Sequence, residues 1–119
     1  MAVLPAEDIS FDITVPVVVI GAGACGQVAA LTAADAGVDV LVLERDAVPQ
    51  GSTALSSGMI PACGTRIQQD RGVEDNVEIM AADILAKAHG ETDAHMVRAV
   101  CAESGPAIDW LTQTHDIEL

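Results

Sequence analysis

The sequence predicts an α/β fold: a β-α-β unit followed by a long loop and then helices. Three observations carry this reading. The apolar run Val17-Val18-Val19-Ile20 leads straight into Gly21-Ala22-Gly23-Ala24-Cys25-Gly26, a G-x-G-x-x-G pattern. An Ala-rich stretch of helical length separates it from a second apolar run, Val38 to Leu43, which reads V-D-V-L-V-L and stops at Glu44. From Asp46 the composition turns to Pro, Gly, Ser and Thr, and from Asp75 onward helical signals return.

Each element has its own reason. Residues 1–14 read as an irregular leader. Val15 to Ile20 is too short and too β-branched for a helix, and its two apolar faces suit a strand buried in a parallel sheet. Pro16 can sit only at the beginning of such a strand, because it has no N–H to give a neighbour. Ala24 to Ala36 reads as a helix with Val28, Leu31 and Thr32 on one side, stopped by Gly37 at the C′ position. Val38 to Leu43 is then a second strand, and two parallel strands joined by a helix form a right-handed crossover. This is the start of a Rossmann-like unit, incomplete because only two strands are present.

Asp46 to Gln69 has no apolar periodicity and reads as a loop with room for one short helix. Its small-residue clusters, Gly51-Ser52-Thr53 and Ser56-Ser57-Gly58, would let backbone amides approach a ligand. Asp75-Asn76-Val77-Glu78 offers a helix cap, with Val77, Met80, Ala81, Ile84, Leu85 and Ala88 on one face and Gly90 as the stop. Asp93 opens a further helix with the stripe Met96, Val97, Val100 and Cys101. Ser104-Gly105-Pro106 predicts a break, after which a last helix carries Ile108, Trp110 and Leu111.

Composition narrows the function. The chain has 119 residues, half of them apolar, with eighteen Asp and Glu against five Lys and Arg, a net charge of −13. So few cations argue against nucleic acid as a partner. No apolar run approaches the ~20 residues needed to cross a bilayer. The acidic N-terminus lacks the basic and apolar regions of a secretory signal, so a cytoplasmic location is the default. Cys25, Cys63 and Cys101 form no C-x-x-C pair, and His89, His95 and His115 lack helical metal-ligand spacing; neither a disulfide framework nor a metal is expected.

The glycine motif has a direct chemical reading. Gly21 permits the tight bend out of the strand, Gly23 lets a diphosphate approach the backbone, and Gly26 lets the helix pack close to the sheet. The helix N-terminus beyond them presents amides and partial positive charge to an anion. Glu44, 18 positions after Gly26, is placed to accept hydrogen bonds from ribose hydroxyls. That carboxylate would repel a 2′-phosphate, which disfavours NADP, whereas NAD and FAD both fit. Cys25, at the helix start, reads as a small residue beneath the diphosphate, with a reactive thiol as the alternative.

From Val15 to Leu119 the chain resembles the N-terminal FAD-binding part of the fumarate reductase/succinate dehydrogenase flavoprotein family. The likeness lies in V-V-V-I-G-A-G-A-C-G, the strand end L-V-L-E-R, the loop G-S-T-A-L-S-S-G-M-I-P-A-C-G-T, and the segments G-V-E-D-N-V-E-I-M-A-A-D, D-A-H-M-V-R-A-V and I-D-W-L. The resemblance implies FAD, with Gly21, Gly23, Ala24, Cys25 and Gly26 lining its diphosphate and Glu44 and Arg45 on the adenosine side. It further implies Ser52 and Thr53 at the diphosphate, and Ser57, Gly58 and Met59 beside the isoalloxazine ring. Family members often carry a Gly pair where this chain reads Gly58-Met59, and Asn where it reads Pro61. Those that tether FAD covalently use a His in this loop; Ser52 is the match here, so FAD is expected to be non-covalent.

Family members are several times longer, and their substrate domain and catalytic residues follow the point where this chain ends. No catalytic residue is therefore assigned. The expectation is an FAD-dependent oxidoreductase portion that moves hydride to or from an activated carbon–carbon bond of an enoate, dicarboxylate or ketosteroid-like small molecule. A missing C-terminal region or a second polypeptide would supply the substrate domain. Two alternatives remain open on sequence: a non-catalytic nucleotide-binding or assembly subunit, and the NAD-binding unit of another dehydrogenase.

Overall fold

A computed structural model describes residues 9–119, and residues 1–8 of the expected leader lie outside it. Residues 9–14 contain no helix or strand. The chain divides into two compact units, the first ending at Met59 and the second running from Ile60 to Leu119.

The first unit is a β-α-β arrangement: strand β1 (Val17–Ile20), helix α1 (Ala24–Asp35) and strand β2 (Val40–Leu43). The strands pair in parallel, with Val17 opposite Val40 and Ile20 opposite Leu43. β1 begins two residues later than expected, just past Pro16, which has no N–H for a ladder. β2 also starts late, because the Val38 N–H is still engaged with the helix. It donates to Ala33 O at 3.0 Å while Gly37 N–H donates to Ala34 O at 2.9 Å. With Gly37 at φ +73°, this is a Schellman cap, and it accounts for the glycine at that position.

Packing of α1 on the strands rests on small residues. A Cβ built on Gly26 would overlap the carbonyl oxygen of Gly21 and press on Val19 Cγ1. Further along, Ala30, Leu31 and Ala34 face Val40 and Val42 across a shallow apolar groove. Val28 and Thr32, read on one side of the helix with Leu31, are exposed while Leu31 is half-buried, and the Thr32 hydroxyl is turned back onto Val28 O at 2.8 Å. Burial in β1 alternates: Val17 and Val19 are half-buried, whereas Val18 is exposed and Ile20 is 87% exposed. The sheet face that carries Val18, Ile20 and Leu43 is thus open.

The second unit contains α2 (Arg66–Asp70), α3 (Val77–Lys87) and α4 (Ala94–Thr114). α2 is the short helix for which the loop had room. It opens with a capping box spelled T-x-x-Q, in which Thr65 Oγ1 accepts from Gln68 N–H and Gln68 Oε1 accepts from Thr65 N–H. Asn76 caps α3 by accepting from the amides of Glu78 and Ile79 at 3.0 Å, and Asp93 caps α4 through the amides of His95 and Met96. α3 buries Ala81 and half-buries Val77, Met80, Ile84 and Leu85 against Cys63, Val97 and Cys101, the core of this unit.

Two expectations for α4 are corrected. The helix runs unbroken through Ser104-Gly105-Pro106, because Val97, Cys101, Gly105 and Ile108 form one continuous buried stripe at helical spacing. Gly105 belongs to that stripe for a steric reason: a Cβ there would overlap the carbonyl oxygen of Cys63. Met96 and Val100, expected in the stripe, are exposed, since they fall about 100° round the helix from Val97 and Cys101.

Candidate functional site

The candidate site is the turn between β1 and α1, closed on one side by the end of β2. Gly21 makes the bend at φ +98°, a conformation that L side chains rarely adopt, while its N–H extends the sheet by donating to Leu43 O at 2.7 Å. Ala22 is buried beneath the turn. Its N–H donates to Glu44 Oε2 at 2.8 Å, and its carbonyl accepts from Gln27 Nε2. The other Glu44 oxygen, Oε1, accepts from Asp46 N–H at 3.1 Å. The Ala22 amide first, and the Asp46 amide second, hold the Glu44 carboxyl below its usual pKa. Glu44 is half-buried and stays ionised, and each of its oxygens, with one amide partner, keeps a lone pair for a further donor.

The loop after β2 reaches the same place. Thr53 Oγ1 accepts from Ala24 N–H at 3.1 Å, which caps the first turn of α1 from outside, because Gly23 has no side chain to do so. The loop itself is held by the Leu55 N–H to Gly51 O bond and by Ser56, whose hydroxyl donates to Thr53 O at 2.8 Å.

Of the residues expected at the site, Gly21, Gly23, Ala24, Gly26, Glu44 and Thr53 come together around one turn. Cys25 lies exposed on the first turn of α1. Arg45 points outward and pairs with Asp46, Nη2 to Oδ2 at 3.0 Å. Ser52 is exposed beside Thr53, and Ser57, Gly58 and Met59 lie further along the exposed loop, Met59 at 80% exposure. No hydrogen bond among the described residues joins these last three to the turn; the Gly58 N–H goes to Ser56 Oγ at 3.2 Å. Sequence reasoning missed Ala22 and Gln27. Ala22 sits inside the motif and could have been named from it, whereas nothing in the motif marks Gln27.

Such a turn, uncapped by its own residues and tied to an acidic strand end, defines a nucleotide-binding unit. The chain belongs to the FAD binding domain family, whose model matches residues 16–118. Urocanate reductase of Eggerthella lenta is 40% identical over 97 residues, which cover 82% of this chain and 16% of that protein. Fumarate reductase (cytochrome) of Shewanella frigidimarina is 32% identical over 99 residues, 83% of this chain and 17% of that one. Among solved structures, 3-ketosteroid-Δ4-(5α)-dehydrogenase from Rhodococcus jostii, in complex with 4-androstene-3,17-dione, superposes with a TM-score of 0.79 at 35% identity. That match covers 91% of this chain and 23% of the dehydrogenase. The chain spans about a sixth of the length of the two reductases. FAD is thus the cofactor that family membership indicates, and the NAD alternative falls away.

The residues present fit FAD. A Cβ on Gly23 would stand 3.4 Å from Thr53 Oγ1, inside the space that turn and loop face together. Glycine leaves that side of the turn free of a side chain, with the backbone next to the Thr53 hydroxyl.

Proposed function

We propose that this chain is the FAD-holding portion of an oxidoreductase, the first part of a Rossmann-like domain formed by residues 15–119. The observation that carries the proposal is the Glu44–Ala22 hydrogen bond, which joins the acidic end of one strand to the glycine turn of the other. In this reading the backbone around Gly21, Gly23, Ala24, Cys25 and Gly26 lines the diphosphate. Glu44 accepts from the adenosine ribose, with Arg45 flanking it. Thr53 Oγ1 already accepts from Ala24 N–H, so its own hydrogen is left to donate to a phosphate oxygen, with Ser52 beside it. Ser57, Gly58 and Met59 pass the isoalloxazine ring, and with Ser52 where a tethering His would stand, FAD is held non-covalently.

When bound, FAD supplies hydride chemistry at its N5. The protein's contribution in this segment is to bind and orient the cofactor; no residue here is assigned to proton transfer. The relatives are named for urocanate and fumarate reduction and for ketosteroid dehydrogenation, so the substrate class is an enoate, dicarboxylate or ketosteroid-like small molecule. The open sheet face with Val18, Ile20 and Leu43 favours further polypeptide, either the same chain continued or a second one, which completes the sheet and carries the substrate domain. A cytoplasmic setting accompanies this reading; no helix among the described residues is long and apolar enough to cross a membrane.

The test is the visible spectrum of protein purified from its own host, so that any completing polypeptide stays with it. Flavin absorbance is expected for the wild type and is lost in Glu44→Arg, which puts a cation where a carboxylate meets ribose. Colourless wild-type protein that takes up no added FAD, or a Glu44→Arg variant as yellow as the wild type, overturns the proposal.

A further inference from the structure

Gln27 lies one turn into α1, outside the glycine motif, yet its side chain folds back against the helix start. Its Nε2 donates to Ala22 O at 2.6 Å. On the other side of the same residue, Ala22 N–H donates to Glu44 Oε2 at 2.8 Å. The two peptide planes that meet at the Ala22 Cα are therefore pinned separately, one by the end of β2 and one by α1.

The second plane is the one with consequences. The Ala22 carbonyl and the Gly23 N–H belong to a single trans peptide, in which C=O and N–H point in opposite directions. A carbonyl held toward the Gln27 side chain aims the Gly23 N–H away from it, to the side the proposed site gives to the diphosphate. Without that hold the plane is free to turn over, because the glycine on its C-terminal side tolerates both orientations. A turned plane would present a carbonyl oxygen to that side, and a carbonyl repels a diphosphate where an N–H binds it.

We propose that Gln27 is a positioning residue for FAD: it locks the Ala22–Gly23 peptide so that the Gly23 N–H donates to the diphosphate. The inference rests on the proposed FAD site and adds a residue that acts on the cofactor only through the backbone. It also explains why a polar side chain stands among alanines on the sheet-facing side of α1, beside Ala30, Leu31 and Ala34.

The experiment titrates ADP and adenosine into the full protein, freed of flavin, as wild type and as Gln27→Met, a substitution close in length and suited to a helix. ADP carries the diphosphate; adenosine keeps the ribose and lacks it. ADP affinity is expected to fall about tenfold in Gln27→Met, which corresponds to ~1.4 kcal/mol, while adenosine affinity is unchanged. Equal ADP affinity in both proteins, or equal losses for ADP and adenosine, overturns the inference. A second measurement needs no variant: in wild-type protein the Gly23 amide proton should move downfield on ADP binding and not on adenosine binding. An unmoved Gly23 proton at ADP saturation also overturns it. Wild-type protein that binds neither ADP nor FAD refutes the FAD site itself, an outcome distinct from either of these.

Discussion

Gly26→Ala tests the packing on which the whole site depends. The added methyl would overlap the Gly21 carbonyl oxygen and crowd Val19 Cγ1. Neither neighbour can step aside cheaply. The Gly21 carbonyl is backbone at the bend, and moving it strains the 2.7 Å bond from Gly21 N–H to Leu43 O that carries the sheet into the turn. Overpacking of this kind costs about 1–3 kcal/mol, and weakening the ladder bond adds ~1 kcal/mol. A loss of about 2–4 kcal/mol lowers the melting temperature of a domain this size by roughly 10–20 °C. Because α1 is pushed off the strands at its first turn, FAD affinity should fall as well, about tenfold for each ~1.4 kcal/mol of lost contact.

The control is Gly37→Ala, at the far end of the same helix. Gly37 has φ +73° and open space around a built Cβ, so alanine there meets strain without a clash. The expected cost is about 1 kcal/mol, with FAD affinity of the folded protein unchanged. Thermal melts and FAD titration of the two variants give the comparison. If Gly26→Ala melts with the wild type and binds FAD as tightly, the close approach of helix and turn is not what the third glycine is for.

Three further outcomes follow from the same geometry. Glu44 has a folded-state pKa below its ordinary 4.5, so its contribution to stability is fully present above that value and is lost as pH falls through the depressed one; the acid limb of the melting curve should be shallower in Glu44→Gln than in wild type. Cys25 is exposed while Cys63 and Cys101 are buried and burial raises the Cys101 thiol, so a thiol reagent should label Cys25 first, and bound FAD should slow it. Gly105→Ala should drive the Cys63 carbonyl away from α4 at a cost of about 1–3 kcal/mol, read as faster labelling of Cys63.

What could be read from the sequence divides along a physical line. Gly21, Gly26 and Gly37 were legible because positive φ and close approach leave a signature in residue type, and Glu44 because it ends an apolar run at a set distance. α4 was misread because Gly105 and Pro106 report local backbone preference, while the helix is held together by a stripe running Val97, Cys101, Gly105 and Ile108. A glycine does not look like part of an apolar stripe until the carbonyl beneath it is seen. Gln27 was illegible for a related reason: its role depends on a side chain folding back five residues, a contact no spacing rule encodes. Ser52, Ser57, Gly58 and Met59 rest on family likeness alone, since their surroundings are solvent in the described chain.

The charge pattern raises a question that the turn answers. A protein of net charge −13 is asked to hold an anionic diphosphate, and of its five cations only Arg45 precedes residue 66. Arg45 is already paired with Asp46. At the proposed site, attraction is assigned to dipoles: the first-turn amides of α1, the Gly23 N–H, and the Thr53 hydroxyl. Glu44 would oppose this as a free charge, but two amides within 3.1 Å already compensate it. Contacts of this kind act over hydrogen-bond distance, inside the screening length of ordinary buffers. FAD affinity should consequently change less than about threefold between roughly 50 and 500 mM salt, measured by titration at constant pH. A steep fall with salt would mean that cations hold the diphosphate, and since this segment has none to spare, they would have to come from the polypeptide that completes the site.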